Sequence, residues 1–103
     1  MKPAVALPFE YDPEAVAEFC RKHHIRKMSI FGSALRDDFT PESDVDVLIE
    51  YDEGHRAGLA FFVLGEEFSE IIGREADVVT KDWLSHRWRH EVLAEAVTIY
   101  DAA

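Results

Sequence analysis

Two aspartates, Asp44 and Asp46, stand two residues apart at the head of an apolar stretch. Residues two apart in a strand face the same side, so the two carboxylates would project together. Such carboxylates repel unless a cation lies between them, and hard oxygen ligands favour Mg²⁺. Asp77, inside another apolar stretch, would add a third carboxylate. Because three carboxylates on adjacent strands can hold two Mg²⁺ ions, the pattern predicts a two-metal site.

A Gly-Ser pair, Gly32-Ser33, ends the apolar run that precedes these aspartates. Glycine allows the backbone to approach a phosphate closely, and N–H groups at the start of a helix attract anions. The Ser33 hydroxyl adds a donor, and Arg36 lies about one helical turn further on. We therefore expect residues 32–46 to combine a phosphate loop with a cation site.

The remaining pattern predicts the elements that position this stretch. Asp12-Pro13 favours a helix start, and apolar residues at helical spacing continue to His23 or His24. Strands are predicted over residues 25–31, 43–51, 76–80 and 96–100. A brief helix is predicted over residues 33–36, a second from Leu59 to Gly73, and a last one after Asp82. The three aspartates meet only if the second and third strands lie side by side.

Length and charge exclude several classes of protein. The 103 residues are 48% apolar, which suits one domain with a single core, taken as residues 1–103. No apolar run approaches the roughly 20 residues of a membrane span, and a lone Cys20 cannot form an internal disulfide, so we expect a cytoplasmic protein. The net charge of −10 makes duplex nucleic acid an unfavourable partner.

The order Gly32-Ser33, ten residues, then Asp44-Val45-Asp46 resembles the G-S-x10-D-x-D motif of polymerase-β-like nucleotidyltransferases. The small size and residues 95–100, Glu-Ala-Val-Thr-Ile-Tyr, are similar to the minimal nucleotidyltransferases of this superfamily. The resemblance covers nearly the whole chain. It implies an α/β (α+β) fold, with a mixed sheet of about four strands flanked by helices.

The resemblance also implies a role for each site residue. Asp44 and Asp46 would bind Mg²⁺ and the nucleotide triphosphate, and Asp77 would bind metal and help to deprotonate the acceptor hydroxyl. The expected cofactor is Mg²⁺, as two ions, with ATP as substrate. The predicted nucleotide-binding residues are Gly32, Ser33, Arg36 and Ser43.

Proteins of this type are commonly encoded beside a HEPN-domain RNase toxin. The resemblance therefore implies an antitoxin that binds this toxin and transfers AMP from ATP onto a tyrosine hydroxyl of it. One residue departs from the family pattern, because Asp37 stands where Gly-Ser-x-x-Arg-Gly has its second glycine. A negative charge beside a phosphate loop opposes nucleotide binding, and this favours one alternative, an antitoxin that neutralises its toxin by binding alone.

A third reading is an enzyme that modifies a small molecule such as an antibiotic. That activity normally needs an additional substrate-binding domain, which 103 residues do not accommodate unless a second subunit supplies it. A fourth, a structural or Ca²⁺-binding acidic domain, leaves Gly32-Ser33 unexplained.

Overall fold

The computed structural model describes residues 9–32, 40, 43–55, 58–80, 92 and 94–102. Its elements in chain order are α1 (Pro13–Lys22), β1 (Ile25–Phe31), β2 (Val45–Tyr51), α2 (Phe61–Ile72), β3 (Ala76–Thr80) and β4 (Val97–Asp101). Each predicted strand is present, with bounds that differ by at most two residues. The brief helix expected over residues 33–36 lies outside the described residues, as does most of the helix expected after Asp82.

The four strands form one mixed sheet in the order β3-β2-β1-β4. The β1–β2 and β1–β4 pairs are antiparallel, whereas β2 and β3 are parallel. A parallel pair needs a crossover, and α2 provides it between β2 and β3. The predicted α+β architecture with about four strands is confirmed.

Helix α1 begins where the sequence predicts. The Asp12 side chain accepts a hydrogen bond from the Glu14 amide at 3.0 Å, and Pro13 occupies the first helical position. The helix buries Val16, Phe19 and Cys20 against the sheet and ends at Lys22, one residue before the nearer of the two predicted ends, with His23 as its C-terminal cap.

Helix α2 starts two residues later than the prediction from Leu59. Leu59 is 88% exposed and belongs to a turn, in which the Phe61 amide donates to the Gly58 carbonyl at 3.0 Å. The helix buries Leu64, Phe68 and Ile72 and ends, as predicted, at a left-handed Gly73 with φ of 71°. No helix within the described residues is long and apolar enough to cross a membrane.

The two faces of the sheet carry different apolar clusters. The main core lies under the helices and includes Val45, Val47 and Ile49 of β2. On the other face Leu48 and Val79 are buried, with Phe31 and Val92 packed against them. The buried sequence Val47-Leu48-Ile49 therefore reflects a strand covered on both faces.

The lone cysteine is a core residue. Cys20 is fully buried, and this burial raises the pKa of its thiol to about 12, although Arg21 opposes the shift. Because the thiolate is the reactive species, the native protein should not react with a thiol reagent at pH 8, whereas the unfolded chain should react at one site. Rapid labelling of the native protein would contradict the burial.

A charged contact joins the two helices. Lys22 Nζ donates to Glu67 Oε2 at 3.1 Å, and the His23 ring nitrogen Nε2 lies 3.1 Å from Glu67 Oε1. Burial raises the pKa of Glu67, but the contacts with Lys22 and His23 together outweigh burial and lower the pKa below its ordinary value of 4.5. The lowered pKa implies stabilisation above pH 4.5, which is lost as the pH falls through the folded-state pKa.

Substituting Glu67→Gln should therefore reduce the free energy of unfolding at pH 7 by about 0.5 kcal/mol, since the contact is partly exposed. The difference between wild type and variant should vanish in strong acid, where Glu67 is protonated. Denaturant titrations at the two pH values measure it. An equal difference at both pH values would show that the carboxylate charge is not responsible.

Candidate active site

The register of the parallel β2–β3 pair places Asp46 directly beside Asp77. Paired residues on neighbouring strands lie about 4.8 Å apart at the backbone and point to the same face. The pair is close to the start of both strands, where the Val45 amide donates to the Glu75 carbonyl at 2.9 Å. The condition set by the sequence, that these two strands be adjacent, is met.

Asp44 immediately precedes β2 and is exposed. A turn positions it: the Ser43 amide donates to the Thr40 carbonyl at 3.0 Å, and the Thr40 amide donates to the Ser43 hydroxyl at 3.1 Å. Ser43, a predicted nucleotide-binding residue, thus uses its side chain to hold the turn that precedes Asp44. Its engagement in this turn also explains why β2 begins at Val45 and not at Ser43.

Gly32 lies at the end of β1, next to the carboxylate of Asp46. Its φ is +75°, which L side chains rarely adopt, and a Cβ built on it would overlap Asp46 Oδ2 and lie 3.1 Å from Asp46 Cγ. The register pairs the preceding residue, Phe31, with Asp46. Glycine is therefore required here by the Asp46 carboxylate as well as by the backbone conformation.

The aspartates lie beside the smaller apolar cluster. Asp46 is on the same face as Leu48, and Asp77 is on the same face as Val79, because each is two residues from it along its strand. Asp46 is half-buried, whereas Asp77 is exposed. An apolar surrounding strengthens the interaction of a carboxylate with a cation or a developing charge. Asp77 remains accessible to a large substrate.

The donor set suits a hard divalent cation, since it consists of carboxylate oxygens on one face at one end of the sheet. Within the described ranges, however, no three Asp, Glu, His or Cys side chains are arranged to hold a metal ion. The backbone thus places Asp46 beside Asp77, and Asp44 immediately before β2. Their side chains, however, are not arranged as the ligands of a complete metal site. A cation would have to draw the carboxylates together.

Two predicted nucleotide-binding residues, Ser33 and Arg36, lie outside the described residues, as does Asp37. Gly32 and Ser43 are described, and they flank the aspartates from β1 and from the turn before β2. The structure therefore brings together Gly32, Ser43, Asp44, Asp46 and Asp77 at one end of the sheet.

The sequence analysis did not predict the smaller apolar cluster that lies beside the aspartates. Phe31, Leu48 and Val79 were assigned to strands without a second buried face. The signal was present in the uninterrupted apolar runs at residues 47–49 and 78–79, which are typical of strands buried on both sides. The close approach of Gly32 to Asp46 had no local sequence signal, since it depends on strand register.

The sequence profile of the nucleotidyltransferase domain family matches residues 13–98. MJ0435 of Methanocaldococcus jannaschii, a candidate protein adenylyltransferase, is 36% identical over 76% of this chain and 83% of its own length. The protein adenylyltransferase MntA of Thermococcus cleftensis is 30% identical over 80% of this chain and 82% of its own length.

Solved structures agree with this relationship. The structure of a candidate minimal nucleotidyltransferase superposes with a TM-score of 0.67 at 33% identity, covering 82% of this chain and 85% of that one. A chain of a toxin–antitoxin complex with AMP-PNP gives a TM-score of 0.70 at 14% identity, with 87% and 73% covered. A chain of a complex between a tri-AMPylated HEPN toxin of Shewanella oneidensis and an MNT antitoxin gives 0.58 at 14%, with 86% and 69% covered. These last two likenesses concern the fold.

Proposed function

This chain belongs to the nucleotidyltransferase domain family, and from that premise we propose that it is a protein adenylyltransferase and an antitoxin. In this proposal residues 1–103 form one minimal nucleotidyltransferase domain. It transfers AMP from ATP to a hydroxyl of a HEPN-domain toxin encoded beside it, and the acceptor is a tyrosine. Because ATP and an RNase toxin meet in the cytoplasm, the reaction belongs to that compartment.

One observation carries the proposal, namely that Asp46 and Asp77 are register partners on adjacent strands with Gly32 against Asp46. Carboxylates that converge from two strands can hold metal ions that stabilise both the attacking oxygen and the leaving group. The two relatives named above are protein adenylyltransferases, one of them a candidate, and they support AMP transfer to a protein. The modified HEPN toxin in the Shewanella complex supports the kind of acceptor.

In the proposed reaction the acceptor oxygen attacks the α-phosphorus of ATP. A new P–O bond forms, the bond between the α-phosphorus and the bridging oxygen breaks, and pyrophosphate leaves. Asp77 accepts the proton of the hydroxyl, because it is the exposed member of the pair and a protein-borne hydroxyl can reach it. Positioning and charge neutralisation account for most of the rate in phosphoryl-group chemistry.

Each of the remaining predicted site residues has a place in this proposal. Asp44 and Asp46, with Asp77, would hold two Mg²⁺ ions, and their oxygen donors on one face fit that cation. When bound, Mg²⁺ neutralises the charge of the triphosphate. Asp46 is the inner carboxylate, kept in place by the close backbone of Gly32. The triphosphate would be held by Gly32, Ser33, Arg36 and Ser43.

The test uses ATP labelled at either the α- or the γ-phosphate. Purified protein, Mg²⁺ and the HEPN-domain protein encoded beside it should yield a toxin labelled only from α-labelled ATP, and Asp77→Asn should yield none. Label from the γ-position would instead indicate a kinase. Absence of label from both, with the toxin bound, would overturn the proposed transfer.

A further inference from the structure

One face of α2 points away from the core and carries large apolar side chains. Phe62 and Val63 of α2 are 82% and 49% exposed, and Leu59, in the turn just before the helix, is 88% exposed. Glu66 and Glu70 follow Phe62 at intervals of four residues, so they continue the same side of the helix. These five residues are called the α2 outer face below.

The fold does not need this apolar surface. The core is contacted by the opposite side of the helix, where Leu64, Phe68 and Ile72 are buried. Single exposed apolar residues are ordinary, but three neighbours, with an aromatic ring at their centre, form a patch of the kind that marks interaction sites. Aromatic side chains dominate the energetics of such contacts.

The charge of the chain indicates which kind of partner would bind the α2 outer face. Glu66 and Glu70 are exposed beside the apolar residues, and the whole chain carries a net charge of −10. Two copies of this chain would repel each other at long range, whereas a basic protein would be attracted. The matching surface of the partner would therefore be an apolar pocket with arginine or lysine residues around it.

A groove next to the outer face offers a further contact. A cavity of about 260 Å³ is lined by Leu59, Phe61, Leu64 and Tyr51 among others. Lys22, His23, His24 and His55 also line it, and Glu67 contacts Lys22 and offsets its charge. The groove can take one apolar side chain from the partner, as central pockets of interfaces do.

The apolar end of the outer face is remote from the aspartates, whereas Glu66 and Glu70 lie nearer to them and line a cavity with Glu75 and Ala76. Helix α2 has 12 residues and leads back to β3, so its first turn is about 18 Å along the axis from the end that precedes Asp77. Docking there leaves the aspartates open. We propose that the α2 outer face is the docking surface for a basic protein partner, and, resting on the proposed function, that this partner is the HEPN-domain toxin whose hydroxyl is modified.

The experiment measures binding and transfer with the purified HEPN-domain protein encoded beside this chain. Phe62→Ser should raise the Kd about tenfold or more, and should raise the KM for the toxin while kcat at saturating toxin stays unchanged. Glu66→Gln with Glu70→Gln should weaken binding and reduce its salt dependence. The matched control is Glu18→Gln, which removes one charge from an exposed position on α1 and should leave binding unchanged.

The outcomes separate the two proposals. If wild type does not bind the toxin, the proposed function fails together with this inference. If wild type binds and modifies the toxin but Phe62→Ser does so with equal Kd and KM, only the docking surface is overturned. If wild type is a dimer by sedimentation and Phe62→Ser merely makes it a monomer with unchanged toxin affinity, the occupant is a second copy, and the inference is wrong.

Discussion

Replacing Asp46 with asparagine should reduce AMP transfer by about 10³-fold while leaving the fold intact. Asparagine keeps the shape of the side chain and removes its negative charge, which the proposed reaction needs beside the triphosphate and its cations. Because asparagine occupies nearly the same volume, it neither opens a cavity nor overpacks the site, and thermal unfolding should remain a single cooperative transition. Label transfer and thermal unfolding of the same preparation give both quantities.

The control for Asp46→Asn is Asp52→Asn, which removes one charge just beyond the other end of β2. It should transfer AMP at the wild-type rate. If Asp46→Asn modifies the toxin normally, the site has been assigned to the wrong residues. If Asp46→Asn and a variant with both Asp44 and Asp46 replaced still neutralise the toxin, binding alone is enough for the antitoxin effect, which is the alternative favoured by Asp37.

Replacing Gly32 with alanine should both destabilise the protein and abolish transfer. The left-handed backbone accounts for about 1 kcal/mol of the loss in unfolding free energy. The new Cβ would also overlap the Asp46 carboxylate, so either the side chain or the end of β1 must move, and we expect a total of about 2–3 kcal/mol. Denaturant unfolding and label transfer measure the two effects.

Two other glycines provide matched controls for Gly32→Ala. Gly73 and Gly54 have φ of +71° and +87°, and a Cβ at either would meet no atom within 4 Å. Alanine at these positions should therefore show only the backbone effect, with activity preserved. An equal loss of stability at all three positions, with full activity in Gly32→Ala, would show that the contact with Asp46 is unimportant.

The helices and strands were predictable from the sequence because their signals are local. Asp12-Pro13 starts α1, and Gly73 ends α2. The apolar periodicity of β2 and β3 identified them as strands. The boundaries that were wrong lie at local turns: one joins Thr40 and Ser43 before β2, and one joins Gly58 and Phe61 before α2.

Strand order and register are not local properties, and they determine which residues of the candidate site lie next to each other. Sequence spacing related Asp44 to Asp46, but only the parallel β2–β3 pairing set Asp46 beside Asp77. The sequence suggested Asp77 as a third carboxylate on the condition that its strand lies beside β2, and the resemblance to a family added its expected role. The role of Gly32 against Asp46 also follows from register, which the sequence does not encode in any short window.

The exposure of the α2 outer face is another property that local sequence patterns did not determine. Helical periodicity identified the buried residues Leu64 and Phe68 correctly. Phe62 lies off this buried face, but periodicity alone does not show whether another element covers it. Only the packed structure shows that Phe62 is exposed and therefore available to a partner.

The most direct test of the central claim is the intact mass of the HEPN-domain toxin after incubation with ATP, Mg²⁺ and this protein. We predict that the toxin gains the mass of one or more AMP groups with wild type, gains none with Asp46→Asn, and binds both equally. The site of addition should map to a tyrosine. A toxin that binds wild-type protein but keeps its unmodified mass would contradict the claim that this chain is a protein adenylyltransferase.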